Sequence, residues 1–317
     1  LDVARMSWMQ DLRVGRLLFE GLLRNDTLGD YSPAPAIAES WDISEDARTY
    51  TFHLREGARW SNGDPVTAHD FVFSWRRALL PDTTSDYANF FWLIRGGRAF
   101  YDWRTEALAE YVKGATRSVE ASLALLEEPY RAVEETVGVR ALDDLTLEVQ
   151  LEDPVPYFLD LCAFPVLYPV HAETVRAFER PDPATGRIIS QRGWTKPEHL
   201  VCNGAFRLAV WRFKRDMRLE ANEYWWNRDS LAIDSIEITS INDANAQVLA
   251  FETGVVDWLT GATPAYRDAL LDGKRAFYAE HAEEVARLQG MGLDRFEVDR
   301  RLPSDPRNRV HPIPAFG

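Results

Sequence analysis

The chain has 317 residues, enough to bury the cores of two or three domains. Its formal net charge of −14 argues against nucleic-acid binding, which favours basic surfaces, and no apolar run reaches the length of a membrane-spanning helix. Two cysteines, Cys162 and Cys202, are too few for a disulfide scaffold and leave two readings open, a pair of buried small hydrophobes or a single bridge.

In chain order, residues 1–9 read as an extended lead-in without a charged-apolar-small leader, as in a mature or trimmed chain. A helix follows with Val14, Leu17, Leu18 and Leu22 on one face, and Gly29, Pro33 and Pro35 mark a loop. The clearest local pattern comes next. Tyr50, Phe52 and Leu54 alternate with Thr49, Thr51, His53 and Arg55, the period of a strand with one buried face. Glu56-Gly57 and Asn62-Gly63 supply tight turns around a short strand. Thr67 and Asp70 have the spacing of a helix start, Phe71, Val72, Trp75 and Leu79 follow at helical period, and Pro81 stops the helix.

Residues 86–92 suggest a short helix carrying Tyr87. Residues 105–133 form a charged helical insertion broken near Gly114 and Pro129, with Leu108, Tyr111, Val112, Val119, Leu123 and Leu126 on its packed face. A hairpin turns at Asp143-Asp144, with Leu145, Leu147, Val149 and Leu151 alternating after it. Short helices are expected over 157–161 and 171–180, then a long loop over 181–199. A second sheet is read from Phe206, Leu208 and Val210, then Met217 and Leu219, then Ile236 and Ile238. Residues 244–253 form a helix capped by Gly254, residues 255–258 a short buried strand and residues 277–288 a helix. The tail carries Pro303, Pro306, Pro312 and Pro314 and reads as loop.

No nucleophile elbow, paired-histidine zinc motif or phosphate-binding loop is present, and the six histidines are scattered singly. Gly290-Met291-Gly292 lacks a third glycine, and His281-Ala282-Glu283-Glu284 is followed by Val285 where a zinc helix needs a second histidine. The reading is of a protein that is not an enzyme and that needs no metal or cofactor. Trp41, Trp60, Trp75 and Trp211 fit core positions.

Eight segments in order carry a resemblance: LLFEGLL (17–23), PAIAESWDIS (35–44), the strand-turn-helix unit of residues 49–79, SDYANFF (85–91), ALDDLTLEVQLEDPVPYFLDL (141–161), CNGAFRL (202–208), EANEYWWN (220–227) and FETGVVDW (251–258). Together they resemble the oligopeptide- and dipeptide-binding family of extracytoplasmic solute-binding proteins that serve ABC importers. The resemblance runs from Leu1 to about Thr263.

It implies a mixed α/β, periplasmic-binding-protein-like two-lobed fold with an extra inserted α+β lobe and an incomplete C-terminal lobe. Residues 1–22 and 171–262 would form a discontinuous first lobe, 23–170 the inserted lobe and 263–317 the start of the third. It also implies capture of peptides in an inter-lobe cleft for delivery to permease subunits. The protein would be a periplasmic or extracytoplasmic monomer, peripheral to the membrane through the permease or a lipid anchor outside this chain. Carried over by motif, the ligand contacts are Ser7, Trp8 and Met9 in the N-terminal loop, Tyr87 in SDYA, and Trp258, Thr260 and Gly261 after GVVD. Ser7 stands where some members have an acidic residue. The rival readings are the same fold holding an oligosaccharide, a nickel chelate or an opine, and a ligand-sensing regulatory domain.

Overall fold

Alternation in residues 49–54 becomes a strand whose inward side chains are Tyr50, Phe52 and Leu54. The structure is a computed structural model that describes residues 1–311 except 28, 116, 126–135 and 192. Residues Leu1–Ile238 form one compact unit and Thr239–Gly317 another.

In the larger unit the first strands are β1 (Leu23–Asn25), β2 (Pro33–Pro35), β3 (Ala38–Ile43) and β4 (Thr49–Leu54). They are followed by β5 (Val139–Asp143), β6 (Thr146–Gln150), β7 (Glu179–Pro181) and β8 (Ile188–Ser190). The last are β9 (Phe206–Arg212), β10 (Asp216–Ala221) and β11 (Ser235–Thr239). Strands β3-β4-β6-β5 make an antiparallel sheet in which Phe52 faces Leu147 and Tyr50 faces Val149. This is the expected hairpin joined to the expected strand. Strands β11-β10-β9 make the second sheet, also as the alternation predicts.

The first helices are α1 (Met9–Leu18), α2 (Ala68–Leu79) and α3 (Gly97–Lys113). Helix α2 begins in a reciprocal capping box between Thr67 and Asp70, and it packs Phe71 and Trp75 against the first sheet. The Trp75 indole donates to Leu167 O at 2.7 Å, which satisfies its one polar atom in the core. Trp60 and Trp75 are fully buried, whereas Trp41 and Trp211 pack at the core's edge.

Several expectations are corrected. Helix α1 stops at Leu18 because Phe19 turns extended and the Gly204 N–H takes the Leu18 carbonyl at 2.8 Å, so Leu22 is buried outside the helix. The short strand between the two turns is a single bridge, Arg59 to Pro65. Tyr87 precedes a 3-10 helix, Ala88–Leu93. Helix α3 starts before residue 105, and of the insertion's expected packed face Leu108 is buried while Val112, Val119 and Leu123 are exposed. Leu126 and Pro129 lie outside the described residues. The helix after His171 is only Ala172–Ala177, and the supposed loop contains β8, paired antiparallel with β7.

In the smaller unit, helix Ala244–Glu252 ends at Gly254, whose φ of +79° suits glycine. Residues 255–258 form no strand; Val255 is 76% exposed. The segment is held instead by Arg309, which donates to Val256 O at 3.2 Å and pairs with Asp257 at 2.8 Å. One expected helix is two, Pro264–Glu280 and Ala282–Gly290, broken at His281. The tail is ordered by helix Arg295–Arg301 and turn Pro306–Arg309, while Pro312 and Pro314 lie outside the described residues. Phe277, Val285, Leu288, Val298 and Leu302 form this unit's own core.

Candidate functional site

The N-terminal segment is set in place by a buried ion pair. Asp2 accepts from Arg77 Nη1 at 2.8 Å and Nη2 at 2.6 Å, and its Oδ1 also caps the Val3–Arg5 turn through the Ala4 N–H at 3.2 Å. The third guanidinium donor, Nε, reaches Glu179 at 3.2 Å. Burial alone would raise the Asp2 carboxyl, but Arg77 beside it holds it below the ordinary aspartate value. Burial likewise dominates at Glu179, which stays raised despite Arg77. The Arg77 guanidinium, flanked by two carboxylates, is pushed up.

From this anchor the chain runs out to the surface. Arg5 donates to Thr84 Oγ1 at 2.9 Å, so the segment leading to Ser7, Trp8 and Met9 is bonded to the segment leading to Tyr87. Met6 and Trp8 are extended, at φ −77°, ψ 114° and φ −91°, ψ 141°. The Ser7 N–H and C=O and the Trp8 N–H make no hydrogen bond among the described residues. Ser7 is half-buried, Met9 is exposed at the start of α1, and the Trp8 side chain is 73% exposed. A large aromatic surface thus stands beside backbone groups that are unpaired among the described residues.

Tyr87 is half-buried, with its ring 5.2 Å from Phe90 and 5.1 Å from Phe164 between centroids. In the smaller unit Trp258, 56% exposed, lies with exposed Thr260 and Gly261 in the loop after Gly254.

Cys162 and Cys202 are free, buried thiols, so the possible bridge is not formed. The Cys202 thiol donates to Phe206 O at 3.4 Å, and burial pushes it up to about 12. The motif around it has a packing role. Gly204 lies against α1 so closely that a Cβ there would sit 2.6 Å from Leu18 C. No group of acidic, histidine or cysteine side chains among the described residues could hold a metal ion. No described helix is long and apolar enough to cross a membrane.

Sequence patterns gave no sign of the Asp2–Arg77–Glu179 cluster or of the fully buried Arg104, which pairs with Asp82 at 2.8 and 3.0 Å.

Residues 32–293 match the family described as bacterial extracellular solute-binding proteins, family 5 Middle. The chain is 33% identical over 264 residues to the periplasmic oligopeptide-binding protein OppA of Escherichia coli (strain K12), covering 83% of this chain and 41% of that protein. It is 32% identical to the dipeptide-binding protein DppE of Bacillus subtilis (strain 168), covering 94% of this chain and 50% of that one. Among solved structures it is similar to Haemophilus influenzae OppA in complex with RPPGFSPFR, at 30% identity and a TM-score of 0.67 over 85% of this chain and 45% of the other. The chain therefore spans about half the length of the relatives it matches or less. With its mixed α/β sheets and helices, this chain belongs to family 5 of the bacterial extracellular solute-binding proteins.

Proposed function

We propose that this chain is part of the substrate-binding component of a peptide-type ABC importer, working outside the cytoplasmic membrane with permease subunits as partners. The observation that carries the reading is the extended conformation of Met6 and Trp8, with Ser7 and Trp8 backbone groups unpaired among the described residues next to an exposed indole. An oligopeptide added as a strand would pair with those groups through its main chain. Main-chain groups are common to all peptides, so such pairing supplies affinity without reading sequence. Trp8 would cover the bound backbone, and the Tyr87 hydroxyl would give a polar contact from the neighbouring segment. Trp258, Thr260 and Gly261 are further proposed contacts, carried by the resemblance of their motif. Family membership supports binding without turnover. Equilibrium dialysis against a mixed oligopeptide pool, read by mass spectrometry, tests this reading. Uptake of many sequences, all recovered intact, is expected; cleaved peptides or uptake of none would refute it.

A further inference from the structure

The larger unit holds a cavity of about 140 Å³ where three elements meet, and neither Trp8 nor Tyr87 lines it. Arg5 comes from the N-terminal turn, Arg76 and Arg77 from the end of α2, and Arg187 from the β7–β8 hairpin. Pockets for drug-sized ligands start at about 300 Å³, so this space suits a small molecule and not an oligopeptide.

The wall is cationic in a strongly acidic chain. Its carboxylates are already engaged: Asp82 holds Arg104 at 2.8 Å, and Glu179 takes Arg77 at 3.2 Å while Asp2 takes the same guanidinium. With Asp2 and Arg104 included, five guanidinium groups face three carboxylates. Arg76 is only 6% exposed, its guanidinium 5.3 Å from the Phe73 ring centre, so positive charge lies inside the wall and not merely at its rim. A buried cation favours an anion in reach, and the guanidinium fork matches a carboxylate.

Two further features narrow the ligand. The Ser190 hydroxyl lines the cavity, is buried, and has no hydrogen-bond partner among the described residues. Such a group costs stability unless something polar meets it. Leu80, Ile188 and Ile189 add apolar surface to the same wall.

We propose that this cavity binds a small organic anion, a carboxylate on a short aliphatic body, with Arg76 and Arg187 taking the oxygens, Ser190 donating, and Leu80 and Ile188 receiving the carbons. The site is separate from the peptide contacts and does not depend on them. Calorimetric titration of the chain with butyrate, with inorganic phosphate as the comparison, tests it. Arg187 is exposed on a hairpin, so Arg187→Ala leaves the packing intact, and Ser190→Ala is a second small change. Saturable butyrate binding is expected, weakened about tenfold or more by Arg187→Ala, as follows from losing a charged hydrogen bond, and less by Ser190→Ala. Thermal unfolding without ligand should be unchanged in Arg187→Ala and no lower in Ser190→Ala, which removes a buried hydroxyl without a partner among the described residues. No butyrate binding, binding unaffected by Arg187→Ala, or phosphate binding as tight as butyrate would overturn the proposal.

Discussion

Asn203 grips the main chain of Glu20 at both polar atoms: its Oδ1 accepts from the Glu20 N–H at 3.1 Å and its Nδ2 donates to the Glu20 carbonyl at 2.9 Å. The two residues are 183 apart in sequence, and Asn203 is 1% exposed. The amide thus acts as a strand in miniature, tying the end of α1 to the start of the second sheet. Asn203→Ala leaves one donor and one acceptor of Glu20 unmet. A loss of about 2–4 kcal/mol is expected in urea unfolding. A loss below about 1 kcal/mol would show that the grip is dispensable.

The Glu20 side chain gives a test in pH. Its Oε2 accepts from the Trp225 indole at 3.1 Å and the Trp226 indole at 2.6 Å. Burial still pushes the carboxyl above the ordinary glutamate value, with the two indoles offsetting part of the rise. A proton therefore binds the folded state more tightly than the unfolded one. The stability this gives is complete below the unfolded value, about 4.3, and is lost as pH rises through the folded value. Glu20→Gln keeps an acceptor for the indoles and removes the titration. Its stability relative to wild type should rise with pH across that window; a constant difference by chemical denaturation would contradict the assignment.

Asp2 carries the opposite sign. Its carboxyl is held below the ordinary value, so its contribution is present above the unfolded value of about 3.9 and is lost as pH falls through the folded one. Asp2→Asn leaves the buried Arg77 with Glu179 as its remaining carboxylate. Removing one partner of a buried pair costs about 3–5 kcal/mol, and Glu179 should keep the loss at the lower end. Unfolding at neutral pH measures it.

Much of the architecture was legible in local pattern. The alternation over residues 49–54, the Thr67–Asp70 helix start and the hairpin at Asp143-Asp144 each need only neighbouring residues, and each forms. Residues 255–258 failed because a short apolar run does not reveal whether a partner strand exists. The tail failed for another reason: its order comes from distant polar partners. Lys274 donates to Asp299 Oδ1 at 2.7 Å and to Asn308 at 2.8 Å, while Tyr278 donates to the same Asp299 oxygen at 2.7 Å. No periodicity encodes that meeting. The same limit hid Asp2–Arg77, so the sequence offers Ser7, Trp8 and Met9 as proposed contacts without showing what fixes the segment that carries them.

The Lys274 cluster is itself testable. Asp299→Ala leaves a half-buried ammonium and a tyrosine hydroxyl without their carboxylate. A destabilisation of about 2–4 kcal/mol is expected for the smaller unit, with the larger unit unaffected. Hydrogen exchange separates the two: faster exchange in residues 264–301 alone is the expected result, and uniform acceleration would be contrary.

For ligand contacts, stability and binding should part company. Trp8 is largely exposed, so Trp8→Ala should change stability by no more than about 0.5 kcal/mol while weakening peptide binding. Tyr87→Ala would also lose the packing on Phe90 and Phe164, so Tyr87→Phe is the cleaner variant. It should keep the fold and lose affinity. Unchanged binding in both variants would remove these residues from the site.

The most direct test watches the Trp8 indole by NMR while unrelated oligopeptides are added one at a time. A saturable shift of the Trp8 signal is expected with every sequence, with no shift of buried Trp60 and peptides of unchanged mass afterwards. A Trp8 signal that stays still with all of them, or peptides that come back cleaved, would contradict it.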